Sequence, residues 1–140
     1  MVSLDELEVL GRLKVGEREL EVVSAPSPLD SRSWPEVREK LLTWRPQVVA
    51  DVLELNGLAC PVVGNRVILL DEETSAVLRE LLSLFHPRAP PDVFASAVVG
   101  NVLNEMERQV GRAFTNEERV SVTLKLVMSL SLLVDLGVIR

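Results

Sequence analysis

The order of apolar and polar positions changes period several times along the chain, and each change predicts a new element. Ser3-Leu4-Asp5-Glu6 has the spacing of a capping box, in which a Ser hydroxyl and a Glu carboxylate each satisfy a free backbone N–H. It predicts a short helix from Leu4 to Leu10, ended by Gly11. From Arg12 the period becomes two. Leu13 and Val15 alternate with Arg12 and Lys14, and Leu20 and Val22 alternate with Glu19 and Glu21. Gly16-Glu17 suits a two-residue turn with glycine first. That register sets Arg12 against Glu21, Lys14 against Glu19 and Leu13 against Leu20, with charge on one face and aliphatic carbon on the other. Arg18 falls against Val15 on the apolar side, close to the turn.

Two prolines in Ala25-Pro26-Ser27-Pro28 exclude helix and ladder there. Ser33-Trp34-Pro35-Glu36 reads as a second capping box and predicts a helix to about Arg45, which Pro46 kinks or restarts. The stripe Val48, Val49, Val52, Leu53 and Leu55 is expected to continue that helix, with Asn56-Gly57 as its C-terminal cap. Val62 to Leu70 is β-branched and aliphatic, and Gly64-Asn65 divides it into a second small hairpin. Asp71 caps a helix running to Phe85, with Val77, Leu78, Leu81, Leu82 and Phe85 on one face. His86-Pro87-Arg88-Ala89-Pro90-Pro91 stops it and is the best linker candidate. A helix from Asp92 to Val110 follows, ended by Gly111. Thr115-Asn116-Glu117-Glu118 opens the last helix, which runs to Leu136 and is ended by Gly137. The short connection makes these two an antiparallel pair.

These elements predict an α+β fold: a small antiparallel sheet, from the N-terminal hairpin and the Val62–Leu70 segment, packed on about five helices. Two segments are expected, an α+β domain over 1–86 and a helical pair over 92–140, or the two run together as one domain. A chain of 140 residues can bury a core without staples. With three Phe, two Trp and no Tyr, that core must be Leu and Val.

Charge narrows the partners. A net charge of −6 disfavours binding nucleic acid through a broad basic face and suits a basic protein better. Cys60 is the one cysteine, so no internal disulfide forms and a reducing compartment is favoured. The first residues lack the basic-then-apolar pattern of a signal peptide, and the expected location is the cytoplasm. Val120–Leu136 is apolar but holds Lys125 and Asp135 and falls short of the roughly 20 residues a bilayer needs, so no membrane contact is expected.

A search for chemistry finds none. One His and one Cys cannot assemble a zinc site, and no Asp-rich loop has cation-binding spacing, so no metal or other cofactor is expected. His86 is read as a helix C-terminal capping residue and Cys60 as a small buried hydrophobe, not as a catalytic pair. Asp71-Glu72-Glu73 and Glu117-Glu118 stand at helix starts, where the macrodipole stabilises negative charge. The seven glycines are scattered, with no phosphate cradle. The chain is expected not to be an enzyme.

Three features exceed what a fold requires and point to protein binding. The last helix is apolar nearly all round, Leu130 and Leu133 included, so it is either central or shared with a partner. Trp34 and Trp44 are interface-anchor residue types, though core packing suits both. The loop Pro87–Pro91, with Arg88 inside it, is a docking segment or a plain spacer. Heavy use of Leu, Val, Arg and Glu, absence of Tyr, single Cys and His residues and short length together resemble, in style and size, small proteins of Thermus or its phages. That resemblance implies a non-catalytic regulator that docks on a host machine such as RNA polymerase in the host cytoplasm. The alternative it implies is a phage structural or tail-assembly protein working as a homo-oligomer through the C-terminal helix.

Overall fold

The computed structural model describes residues 7–84 and 94–140. Five strands are present: β1 Val9–Val15, β2 Arg18–Ser24, β3 Asp51–Leu55, β4 Leu58–Val63 and β5 Arg66–Leu69. Four α-helices join them: α1 Trp34–Lys40, α2 Glu72–Leu84, α3 Ala95–Val110 and α4 Asn116–Asp135. A 3-10 turn, Pro28–Asp30, precedes α1. The fold is α+β, and the sheet order is β1-β2-β5-β4-β3.

The β1–β2 hairpin forms in the expected register, with Arg12↔Glu21, Leu13↔Leu20, Lys14↔Glu19 and Val15↔Arg18. Gly16 takes a φ of 62°, which glycine alone adopts without penalty, so it can lead the turn. Arg18 donates to the Gly64 carbonyl at 3.1 Å, which settles its place on the apolar side. The second hairpin, around Gly64-Asn65, also forms.

Several expectations fail. Val9 and Leu10 belong to β1, so no helix reaches Leu10; the Ser3–Glu6 capping box lies outside the described residues. The helix expected to end at Arg45 stops at Lys40, and Trp44 gives its carbonyl to the Ala95 N–H at 2.9 Å. The segment expected to be helical up to Asn56 is instead strand β3. Asn56 and Gly57 both take positive φ, 51° and 79°, so they form a hairpin turn and not a helix cap. A helix over Val48–Leu55 would leave β4 unpaired on that side, whereas β3 gives it a ladder from Asp51↔Val62 to Leu55↔Leu58.

The sheet is therefore mixed, not antiparallel, because β2 runs parallel to β5 from Glu21↔Arg66 to Ser24↔Leu69. The β4–β5 ladder covers only Val62↔Val67 and Val63↔Arg66. The next residue of β4, Pro61, has no N–H with which to extend it.

The two faces of the sheet differ. Val23, Ala59 and Ile68 point into the main core, shared with Val37 of α1, Val77, Leu78 and Leu81 of α2, Val98 and Val102 of α3, and Leu126, Leu130 and Leu133 of α4. The opposite face holds a smaller cluster, Leu20, Cys60, Val62 and Val67, ringed by Leu13, Leu53, Leu55, Leu58 and Leu69, all of them strand residues. Residues from both the 7–84 and the 94–140 segments share the main core. The last residues close it. Gln47 and Arg140 exchange backbone hydrogen bonds of 2.9 and 3.0 Å, and Val48 bridges Ile139.

Candidate protein-docking groove

Helix α4 lies at the centre of the helical layer, in contact with α1, α2, α3 and the 3-10 turn. Its Thr115 capping box is complete: Thr115 Oγ1 accepts from Glu118 N at 3.2 Å, and Glu118 accepts from Thr115 N at 3.1 Å. Arg112 clamps the same carboxylate through two bonds of 3.0 and 2.8 Å. The Arg112 guanidinium holds Glu118 down at about 2. Arg119, one residue on, reaches back to Glu107 of α3 at 2.6 Å.

Burial along α4 divides it in two. From Leu126 onward the apolar residues are core, and Leu130 and Leu133 are 0% exposed. The first half is open, with Val120 70% and Leu124 46% exposed. The helix is central there, and a partner could reach Leu130 or Leu133 only by dismantling the core. Trp44 also lies in the core, beneath the Lys40 ammonium at 4.6 Å. Arg88 lies outside the described residues.

Trp34 is different. It is half-buried at the start of α1, facing the open half of α4. Trp34 and Arg38 of α1, Leu41 at its C-cap, and Arg119, Val120, Leu124 and Val127 of α4 line a groove of about 380 Å³. The Arg38 guanidinium lies 5.9 Å from the Trp34 ring centre. Leu124 is also a wall of a second cleft, of about 540 Å³, whose other walls include Pro26, Pro28, Leu29, Asp71 and Lys125. Leu124 is a wall of both clefts, and Leu29 is exposed on the rim of the second.

Sequence reasoning singled out Trp34, chose Leu130 and Leu133 from the apolar run that also holds Val120 and Leu124, and missed Arg38. The signal for Arg38 and Leu41 was present in their spacing of four and seven from Trp34, which places all three on one helix face. Nothing in the sequence separates Leu124 from Leu130, since both belong to the same all-round apolar run.

The chain matches no family model, no curated protein and no solved structure.

The titratable side chains around the groove are held in local pairs and caps. Asp71 caps α2 by accepting from Thr74 N at 2.8 Å. Glu73 is bonded to Lys125 at 2.8 Å, and each draws the other toward its charged form, Glu73 downward and Lys125 upward. Burial pushes the Cys60 thiol up, away from the reactive thiolate. Among the described residues no three His, Cys, Asp or Glu side chains gather as a metal site would require. Among the same residues no helix is long and apolar enough to cross a membrane.

Proposed function

We propose that this protein is a non-catalytic regulator or adaptor that docks on a larger protein assembly through the α1–α4 groove. The observation that carries this reading is the α1–α4 groove itself, where the exposed Val120 and Leu124 stand beside the half-buried Trp34. An aromatic anchor beside a concave aliphatic floor, rimmed by arginine, has the make-up of a protein interface centre. The resemblance in style to small Thermus and phage proteins makes RNA polymerase the first partner to test.

The test is a tagged pull-down from a thermophilic bacterial lysate with the wild type and with Val120→Asp/Leu124→Asp. The wild type should capture one assembly in stoichiometric amount, and the folded double variant should lose it. Equal capture by both would overturn the reading.

The exposure of Val120 on α4 also favours a second reading, a structural or assembly protein that self-associates through the open half of this helix. That reading requires the wild type alone to elute as an oligomer and the double variant as a monomer.

A further inference from the structure

The two walls of the groove carry their side chains at the same interval. Trp34 and Arg38 stand at i and i+4 on α1, with Leu41 at i+7 as its C-cap, still in helical conformation; Val120, Leu124 and Val127 stand at i, i+4 and i+7 on α4. Each set is one ridge along one helix face. Two such ridges leave between them a trough that a third helix fills, at the usual spacing of roughly 8–10 Å. A partner strand finds no edge to pair with there, because helical walls pair their own backbone groups.

Charge then selects among helices. The net charge of −6 favours a basic partner for the chain as a whole, but the lining of this groove reverses the sign. Its charged side chains are Arg38 and Arg119, with no carboxylate among the lining residues. Arg119 is shared with Glu107, while Arg38 has the Trp34 ring and no carboxylate partner among the described residues. A purely apolar occupant would strip water from Arg38 without replacing its hydrogen bonds, which is costly. A carboxylate beside the apolar stripe would instead give a charge-assisted pair.

We infer that the groove takes an amphipathic α-helix of a partner protein, apolar at helical spacing and flanked by Asp or Glu. This rests on the groove being the docking surface.

The experiment uses the full chain and two labelled synthetic peptides of roughly 18 residues, long enough to hold a helix. Both carry the same leucine stripe; one is flanked by Glu and the other by Lys. Fluorescence anisotropy should show the Glu peptide binding about two- to fivefold tighter, the factor expected from one exposed charge pair. Circular dichroism should show that peptide gaining helix as it binds. Arg38→Glu should abolish or invert the preference, and Leu124→Asp should remove binding of both peptides. Equal binding of the two peptides, or a Glu preference that survives Arg38→Glu, overturns the inference. If neither peptide binds while Val120→Asp/Leu124→Asp still abolishes capture of the natural assembly, the groove remains the docking site and its occupant is not such a helix. If the double variant captures normally, the groove reading falls and the inference with it.

Discussion

Asp135, in the last turn of α4, accepts a hydrogen bond of 2.6 Å from the hydroxyl of Ser33, the residue just before α1. The same carboxylate accepts from Ser31 Oγ at 2.9 Å and from Arg32 N at 2.7 Å. A carboxylate at a helix C-terminus opposes the macrodipole, but here it serves the start of the neighbouring helix. Ser33 gives its hydroxyl to Asp135 and makes no side-chain cap bond within α1, so the expected second capping box does not form. The interaction seats α1, and with it Trp34, against α4. Asp135→Ala should cost about 1.5–3 kcal/mol in urea unfolding, the range for a lost hydrogen bond to a charged group. Asp135→Asn keeps one acceptor oxygen and should cost less. Equal stability of Asp135→Ala and wild type would show that α1 is held by packing alone.

The two halves of α4 should respond oppositely to substitution. Leu133→Ala should cost about 2–5 kcal/mol, as expected for a leucine with no exposure. Leu133→Glu should leave the chain unfolded by circular dichroism. Leu124→Glu, on the open half, should cost less than about 1 kcal/mol. A folded, monomeric Leu133→Glu variant would contradict the central placement of α4.

Buried hydroxyls on α4 differ in their partners. Ser131 Oγ is buried and has no hydrogen-bond partner among the described residues. Ser131→Ala should be neutral or stabilising, by up to about 1 kcal/mol, since nothing is orphaned and a desolvated hydroxyl is removed. Ser129 accepts from Thr74 Oγ1 at 3.0 Å and donates to the Lys125 carbonyl. Ser129→Ala strands the Thr74 hydroxyl and should cost about 1–3 kcal/mol. Thermal melts of the two variants should move in opposite directions, or the Ser131 variant should not move.

Acid should weaken the start of α4. Glu118 is held at about 2 in the folded chain, against its ordinary 4.5. The folded value is depressed, so its contribution is full above about 4.5 and is lost as pH falls from there toward 2. Glu73, drawn down by Lys125, adds to the same acid limb. Melting temperature should therefore fall over that window, and Glu118→Gln should lower it near neutrality while flattening its fall in acid. Thr115→Ala, which removes the cap hydroxyl, should cost about 1 kcal/mol. Wild type and Glu118→Gln curves that stay parallel down to pH 2 would remove this assignment.

Much of the local structure was legible because it rests on neighbours in sequence. The β1–β2 register follows from alternation and one glycine turn. The Asp71 and Thr115 caps follow from a side chain meeting a backbone N–H three residues away, and Gly111 closes α3 at a φ of 83°. The Val48–Leu55 segment was not legible, because its apolar spacing fits a helix as well as a strand. Asn56-Gly57 was the contrary signal, as the strongest short hairpin turn, and it outweighed the periodicity. At the groove, Trp34 was legible as an anchor residue type, but its partners on α4 were not.

The sequence by itself determined the β1–β2 turn, the starts of α2 and α4, the end of α3 at Gly111, and that the core must be aliphatic. Those outcomes depend on bonds and torsions within a few residues. Only the tertiary structure decided that β2 lies parallel to β5, that the sheet has one face under helices, and that α4 buries its second half while leaving Val120 and Leu124 open. A helix that is apolar all round has no face of its own to declare, so the elements packed around it choose which leucines become core and which remain to meet a partner.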